Sequence, residues 1–343
     1  MENQQSDKRN LSTCYGQGKS SSARNDNMEA NMGAATYAER RKRSTTRSQR
    51  RRNTFFLFVS PWLIGFVLLS IFPLAFGFFI SLTNYDGLNL FNLHITGVQN
   101  YANALKDPNV KWTLSRTAIW TALNLPIWLV FSLLLAILVN QKVKGIGIFR
   151  TLFYLPSVIP AVGLVWTWKI LLEKNFGLVN AILSAFKPGT AIGWLTDQAM
   201  YGVTGMAVWN GLGAGMIIFL AGMQGIPDEL IEAAKIDGAN NFQVFWSVTL
   251  PMLTPVVFFQ LILGLISALQ MLTIPWLATT SDVISVPPRG IHLYMIYIYQ
   301  QLFGNQRFGY GMAILWILIM IIFILTFVVF RTQHRWVYSE VEE

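Results

Sequence analysis

Apolar and polar positions alternate along this chain on a coarse scale, as long apolar runs divided by polar connections. A helix needs about 20 apolar residues to cross a hydrocarbon core, and six runs qualify, at approximately 55–82, 117–140, 148–172, 200–223, 252–275 and 310–331. Only the connection between the fourth and fifth runs has a helical pattern of its own. It reads IPDELIEAAKIDGANNFQVFWSVTLPMLTP from Ile226 to Pro255. Pro227 suits a first helical position, Asp228 and Glu229 then lie at the positive end of the helix dipole, and Gly238 stops the helix. Asn240 or Asn241 caps a second short helix, whose Phe242, Phe245 and Trp246 share a face and which ends before Leu250–Pro251. The pattern predicts a helix–turn–helix carrying Asp228, Glu229, Glu232 and Asp237 against the single base Lys235, beside exposed Ala233, Ala234 and Ala239. Carboxylates call for a basic partner, and small residues let another backbone approach. The plainer alternative is a solvated hairpin whose alanines serve helix propensity.

Polar and irregular positions inside the runs are few. In the third run Pro156 and Pro160 each remove a backbone bond, so that span is expected to bend, either freeing carbonyls to line a path or merely fitting its neighbours. The fourth run holds Asn210 beside Gly211 and Gly215, a small-residue face suited to close helix contact. Asn210 either bonds a neighbouring helix or faces a solute. In the fifth run Gln260, Gly264, Ser267 and Met271 fall on one face with Gln270 at its edge, which is either a polar pathway or a hydrogen-bonded seam. The connection 83–116 is polar and turn-rich, a lid or docking surface on the outer side.

Composition and charge fix the setting. The chain is 53% hydrophobic and 13% charged, with a mean hydropathy of +0.43, outside the range of a soluble domain. The formal net charge of +9 is concentrated before the first run, where topology explains it and nucleic acid does not. Placing the amino terminus inside puts 18 of the 26 Lys and Arg on the cytoplasmic side and makes the acidic hairpin cytoplasmic. Residues 1–52 lack the apolar surface to fold and read as a disordered basic tail, 53–335 as the six-span domain, and 336–343 as a cytoplasmic tail. Cys14 is the only cysteine, so no intrachain disulfide forms. Gly18-Lys19-Ser20 lacks the leading glycine and preceding strand of a phosphate loop. The first run is too long for the core of a cleaved signal peptide.

Three function classes compete. Ion-coupled carriers keep ionisable groups within their spans, whereas these runs are nearly free of charge, with Lys169 placed to reach the outer face. An enzyme needs clustered catalytic or metal-binding groups, whereas His94, His292 and His334 are scattered; no catalytic residue and no metal site is expected. Work coupled from outside the lipid, by a separate ATPase, fits the pattern better.

The spacing Glu232-Ala233-Ala234, Asp237-Gly238-Ala239, Leu250-Pro251 resembles the EAA signature of the membrane-spanning subunits of binding-protein-dependent ABC importers. Ser60-Pro61-Trp62, Ser81 to Tyr85, Gly97, Asn100-Tyr101, Asp107-Pro108, Arg150, Leu155-Pro156 and Gly309-Tyr310 are similar to the sugar-type subgroup. One stretch departs: Thr279 to Pro288 stands where a Thr-x-Gly-Gly-Pro loop is usual. The resemblance implies an all-α integral membrane protein of the bacterial or archaeal inner membrane, with six spans, a cytoplasmic coupling helix–turn–helix and both termini inside. It implies a second homologous permease subunit, an ATP-binding cassette ATPase dimer and an extracytoplasmic solute-binding protein as partners within membrane lipid. This chain then binds no cofactor, ATP being used by the partner. The cargo implied is a sugar or sugar-like polyol or glycerophosphodiester; an ion-coupled carrier or a permease for another solute is the alternative. Asn210, Gln260, Ser267 and Gln270 are the candidates for the solute path.

Overall fold

A computed structural model describes residues 54–88, 93–141, 143–280, 282 and 285–338. The basic tail, Cys14 and Gly18-Lys19-Ser20 lie outside these residues. The chain partitions into two units, 1–75 and 76–343, and all packing described below is internal to the second. Described residues form helices and no strand, apart from a lone bridge between Thr83 and Ile95.

The first long helix, α1, spans Thr54–Ser81 and includes a π turn at Val67–Ile71. Then come α2 (Gln99–Lys106), α3 (Pro108–Val139), α4 (Ile146–Val158), α5 (Ala161–Leu171), α6 (Leu178–Phe186) and α7 (Ala199–Gln224). These are followed by α8 (Asp228–Ile236), α9 (Asn241–Val244), α10 (Leu250–Leu269), α11 (Thr273–Thr279), α12 (Tyr294–Tyr299) and α13 (Phe308–Thr332). Five of the helical stretches are long and apolar enough to span a membrane, and the pair α4 and α5 makes a sixth if counted as one broken span.

Two departures from the sequence reading have a common origin in how helices handle proline. The expected bend of the third span is a break: α4 and α5 meet at 98° across the extended residues Ile159 and Pro160. Pro160 has no N–H to give the carbonyl of Pro156, and the ladder ends there. The second helix of the hairpin, expected to stop before Leu250–Pro251, instead continues into α10. A π turn over Phe245–Thr249 lets the Leu250 N–H reach back to the Phe245 carbonyl, widening the helix just ahead of Pro251. The same device precedes Pro73, where the Phe72 N–H reaches the Val67 carbonyl. The fifth run, by contrast, breaks early: α10 stops at Leu269 and α11 resumes at Thr273.

The connection 83–116 is more ordered than its composition suggests, because α3 begins at Pro108. Asp107 caps it, its Oδ1 accepting from the Asn109 N–H at 2.8 Å. Its Oδ2 accepts from the hydroxyls of Tyr297 (2.6 Å) and Tyr310 (2.7 Å), tying α3, α12 and α13 together at one end. Burial pushes the Asp107 carboxyl up, but these hydrogen bonds outweigh it and hold the group below the usual carboxylate range. Asn100 donates to the carbonyls of Ser81 (2.9 Å) and Thr83 (2.7 Å). Buried Asn180 serves a second loop, donating to the Ile192 carbonyl and accepting from the Trp194 indole, each at 2.9 Å.

The bundle is held by close packing, since lipid tails are as apolar as leucine and burial between helices gains little. α3 and α7 form its spine. A Cβ at Gly215 would lie 2.5 Å from Ser132 Oγ, and one at Gly264 2.5 Å from Leu125 Cδ1 and 2.9 Å from Trp128. The small residues therefore set how closely α7 and α10 approach α3.

Candidate functional site

Two features stand out, the hairpin and a cavity between spans. In the hairpin, Pro227 is the cap immediately before α8, one residue earlier than expected, with Asp228 and Glu229 in the first turn. Gly238, at φ +88°, ends α8 in the left-handed conformation that glycine adopts without strain. The Gly238 N–H bonds the Lys235 carbonyl and the Ala239 N–H that of Ala234, both at 3.0 Å, which is a Schellman closure. Asn240, not Asn241, caps the next helix in a full capping box: its Oδ1 accepts from the Gln243 N–H (2.9 Å), and Gln243 Oε1 accepts from the Asn240 N–H (2.8 Å). Ile231 packs onto the cluster containing Met223, Ile226 and Leu253, and Val244 is buried. The hairpin is thus fixed at both caps and rooted in the bundle.

Its outer surface is what the sequence reading described in part. Glu232, Ala233, Asp237 and Gly238 are exposed; Ala234, Ala239, Leu250 and Pro251 are half-buried, so of the three alanines only Ala233 lies open. Among the described residues Glu229, Glu232 and Asp237 have neither ion pair nor side-chain hydrogen bond. Beside them lie apolar groups not singled out from the sequence as exposed: Ile236 at 86%, Phe242 at 71% and Trp246 at 55% exposure. The signal was present in Ile236, which sits five residues from the inward Ile231 and so about 140° round the helix. Phe242 and Phe245 both pack edge-on to Trp246, at 6.1 and 5.7 Å.

The cavity, of about 290 Å³, lies between α3, α7 and α10, and is lined by Asn210, Gln260 and Ser267 among others. Gly264 and Met271 join Gln260 and Ser267 there, so the predicted face is the one turned to the cavity. Gln270 is not part of its lining; it is the exposed C-cap of α10. Two of the three amides have structural tasks. Gln260 Nε2 donates to the Gly215 carbonyl at 2.9 Å, bridging α10 to α7. Asn210 Nδ2 donates at 2.9 Å to the Pro156 carbonyl at the break, which otherwise accepts only the longer bond from the Ile159 N–H at 3.3 Å among the described residues. The third amide, Asn124 of α3, lines the cavity with its Nδ2 buried and without a partner among the described residues. Trp128 supplies the aromatic wall. Asn124 was legible as a lone amide inside an apolar run, a costly position that calls for a partner. Lys169 is half-buried, its Nζ 5.2 Å from the Trp166 ring centre. No group of three or more potential metal ligands occurs among the described residues.

Residues 112–337 match the family model described as binding-protein-dependent transport system inner membrane component. A probable ABC transporter permease protein, YesP of Bacillus subtilis, is 34% identical over 299 residues, covering 84% of this chain and 93% of that protein. The arabinooligosaccharides transport system permease protein AraP of Bacillus subtilis is 29% identical, over 80% of this chain and 86% of its own length. Among solved structures, a bacterial ABC transporter involved in import of the acidic polysaccharide alginate superposes with a TM-score of 0.69 at 18% identity, covering 83% of this chain and 96% of that one. The likeness to that structure is one of fold.

Proposed function

The chain belongs to the inner membrane components of binding-protein-dependent transport systems, and from that premise we propose that it is a sugar-importing permease subunit whose α8–α9 hairpin is the docking element for an ATPase. Members of this family are transport subunits, not enzymes, and lie in the inner membrane as multi-pass proteins. The sugar class is supported by relatives such as AraP and the lactose transport system permease protein LacF of Rhizobium radiobacter, 29% identical over 81% of this chain. An extracytoplasmic solute-binding protein delivers the sugar, as in the alginate transporter solved in complex with a pentasaccharide-bound periplasmic protein. A second permease subunit completes the pore, and an ATP-binding cassette dimer supplies the energy.

The observation that carries this reading is the surface of the hairpin. Three carboxylates unpaired among the described residues and three exposed apolar side chains, on a hairpin locked by its caps, combine apolar and charged groups as a protein interface does. With both termini cytoplasmic, the hairpin faces the nucleotide. ATP-driven closure of the ATPase pair moves the hairpin as a lever, and the spans reorient about the cavity between α3, α7 and α10. Within that cavity Gln260 and Asn210 hold the wall, while Asn124 and Ser267 offer polar groups to the sugar. Glu232→Ala and Gly238→Pro are expected to abolish ATP-driven uptake and reduce copurification of the ATPase, with membrane insertion unchanged. Normal uptake in both variants would sink the docking assignment.

A further inference from the structure

A second cavity, of about 600 Å³, opens between the start of α3, the connection before α12 and the π turn Gln300–Gly304 after it. It shares no lining residue with the cavity that holds Asn124, and its size is that of a small-molecule site. Its walls are chemically unbalanced. Among the described residues no Asp or Glu lines it, whereas Asn109, Trp112, Arg289, His292, Gln301 and Asn305 do. The side-chain amides of Gln301 and Asn305 have no hydrogen-bond partner among the described residues, whereas that of Asn109 bonds the Asp107 carboxylate. Gln301 is only 5% exposed, and its Oε1 is buried and unpaired. Such an acceptor is costly to leave unfilled.

The positive charge is equally uncompensated. The guanidinium carbons of Arg116 and Arg289 lie 4.2 and 6.0 Å from the Trp112 ring centre. Neither has a carboxylate partner among the described residues, and Arg116 Nε is buried without an acceptor. Trp112 is fixed by its indole N–H, which donates to the Arg289 carbonyl at 3.3 Å. Asp107, next to the lining residue Pro108, accepts from Tyr297, Tyr310 and the Asn109 N–H and makes no ion pair with Arg289. His292 bonds Gln300 at 3.0 Å, and burial lowers its pKa, so at neutral pH it is an uncharged hydrogen-bonding group.

We propose that this cavity binds a carboxylated sugar, the carboxylate pairing with Arg289 and the ring hydroxyls bonding Gln301, Asn305 and His292. The hydroxylated ring rests on the sugar-import reading; the anionic group rests on the cavity alone. The test is isothermal titration of the full-length chain in nanodiscs of zwitterionic lipid, with galacturonate and with galactose as probes. Galacturonate is expected to bind at least tenfold more tightly than galactose. Arg289→Gln, at an exposed position that folding tolerates, removes that preference, and Gln301→Leu weakens binding of both sugars. Absence of galacturonate binding, equal affinity for the two sugars, or a preference that survives Arg289→Gln overturns the proposal. ATP-driven sugar uptake by the assembled transporter is measured separately. Its failure beside intact galacturonate binding counts against the import reading alone.

Discussion

Asn124 and Gln260 line the same cavity under different obligations. Gln260 spends its amide on the Gly215 carbonyl, whereas Asn124 has an N–H pair with nothing to receive it. Asn124→Leu is therefore expected to lower uptake of the native sugar severalfold with little loss of stability, since no protein hydrogen bond disappears. Gln260→Leu is expected to destabilise the chain by about 1 kcal/mol, the scale of an interhelical bond in lipid. Uptake kinetics and thermal unfolding in the same detergent separate the two effects. Asp107 carries the third residue-scale prediction. A carboxyl whose folded pKa is depressed contributes stability that is complete above its unfolded value and is lost as the pH falls through the folded one. The tie among α3, α12 and α13 should then weaken from about pH 4 downward, and Asp107→Asn should flatten that pH dependence in thermal unfolding. An unchanged acid limb in the variant would assign the pH dependence to other groups.

At the scale of elements, what could be read from the sequence was what short-range chemistry determines. Gly238 and the Asn240–Gln243 box sit at the residues their types demand, because a left-handed cap and a reciprocal side-chain bond involve only near neighbours. Pro251 misled because proline reads as a stop, and whether a π turn absorbs it depends on the helix before it. Pro160 misled in the opposite sense: the break it makes is stabilised by Asn210, 50 residues away in the chain, and no local pattern announces that partner. The cavity-lining residues were only partly legible for the same reason. Gln260 and Ser267 share a face with a visible period, but Asn124 belongs to another helix that long-range packing brings opposite them. Two variants test the elements. Ile236→Asp puts a charge where the hairpin is barest, and should uncouple ATP hydrolysis from uptake while leaving thermal stability within about 0.5 kcal/mol. Gly264→Val drives a side chain into Leu125 and Trp128, and should destabilise the bundle by about 1–3 kcal/mol.

For the whole molecule, composition and the lengths of the apolar runs made the membrane setting plain, while the pairing of α3 with α7 and the outer tie at Asp107 required three-dimensional contacts. The account assigns the work of transport to a partner. The spans are almost without charge, the hairpin holds three more acids than bases (four against one, Asp228, Glu229, Glu232 and Asp237 against Lys235), and its apolar residues are left bare. The partner proposed for that surface is a basic groove on another chain. The most direct measurement is sugar accumulation in liposomes, comparing the purified chain alone under a proton gradient, a sodium gradient and no gradient with the same chain joined by its second permease, ATPase and binding protein. Accumulation only in the complete assembly, and only with ATP inside the compartment that the hairpin faces, is the predicted result. Gradient-driven accumulation by the single chain would contradict it.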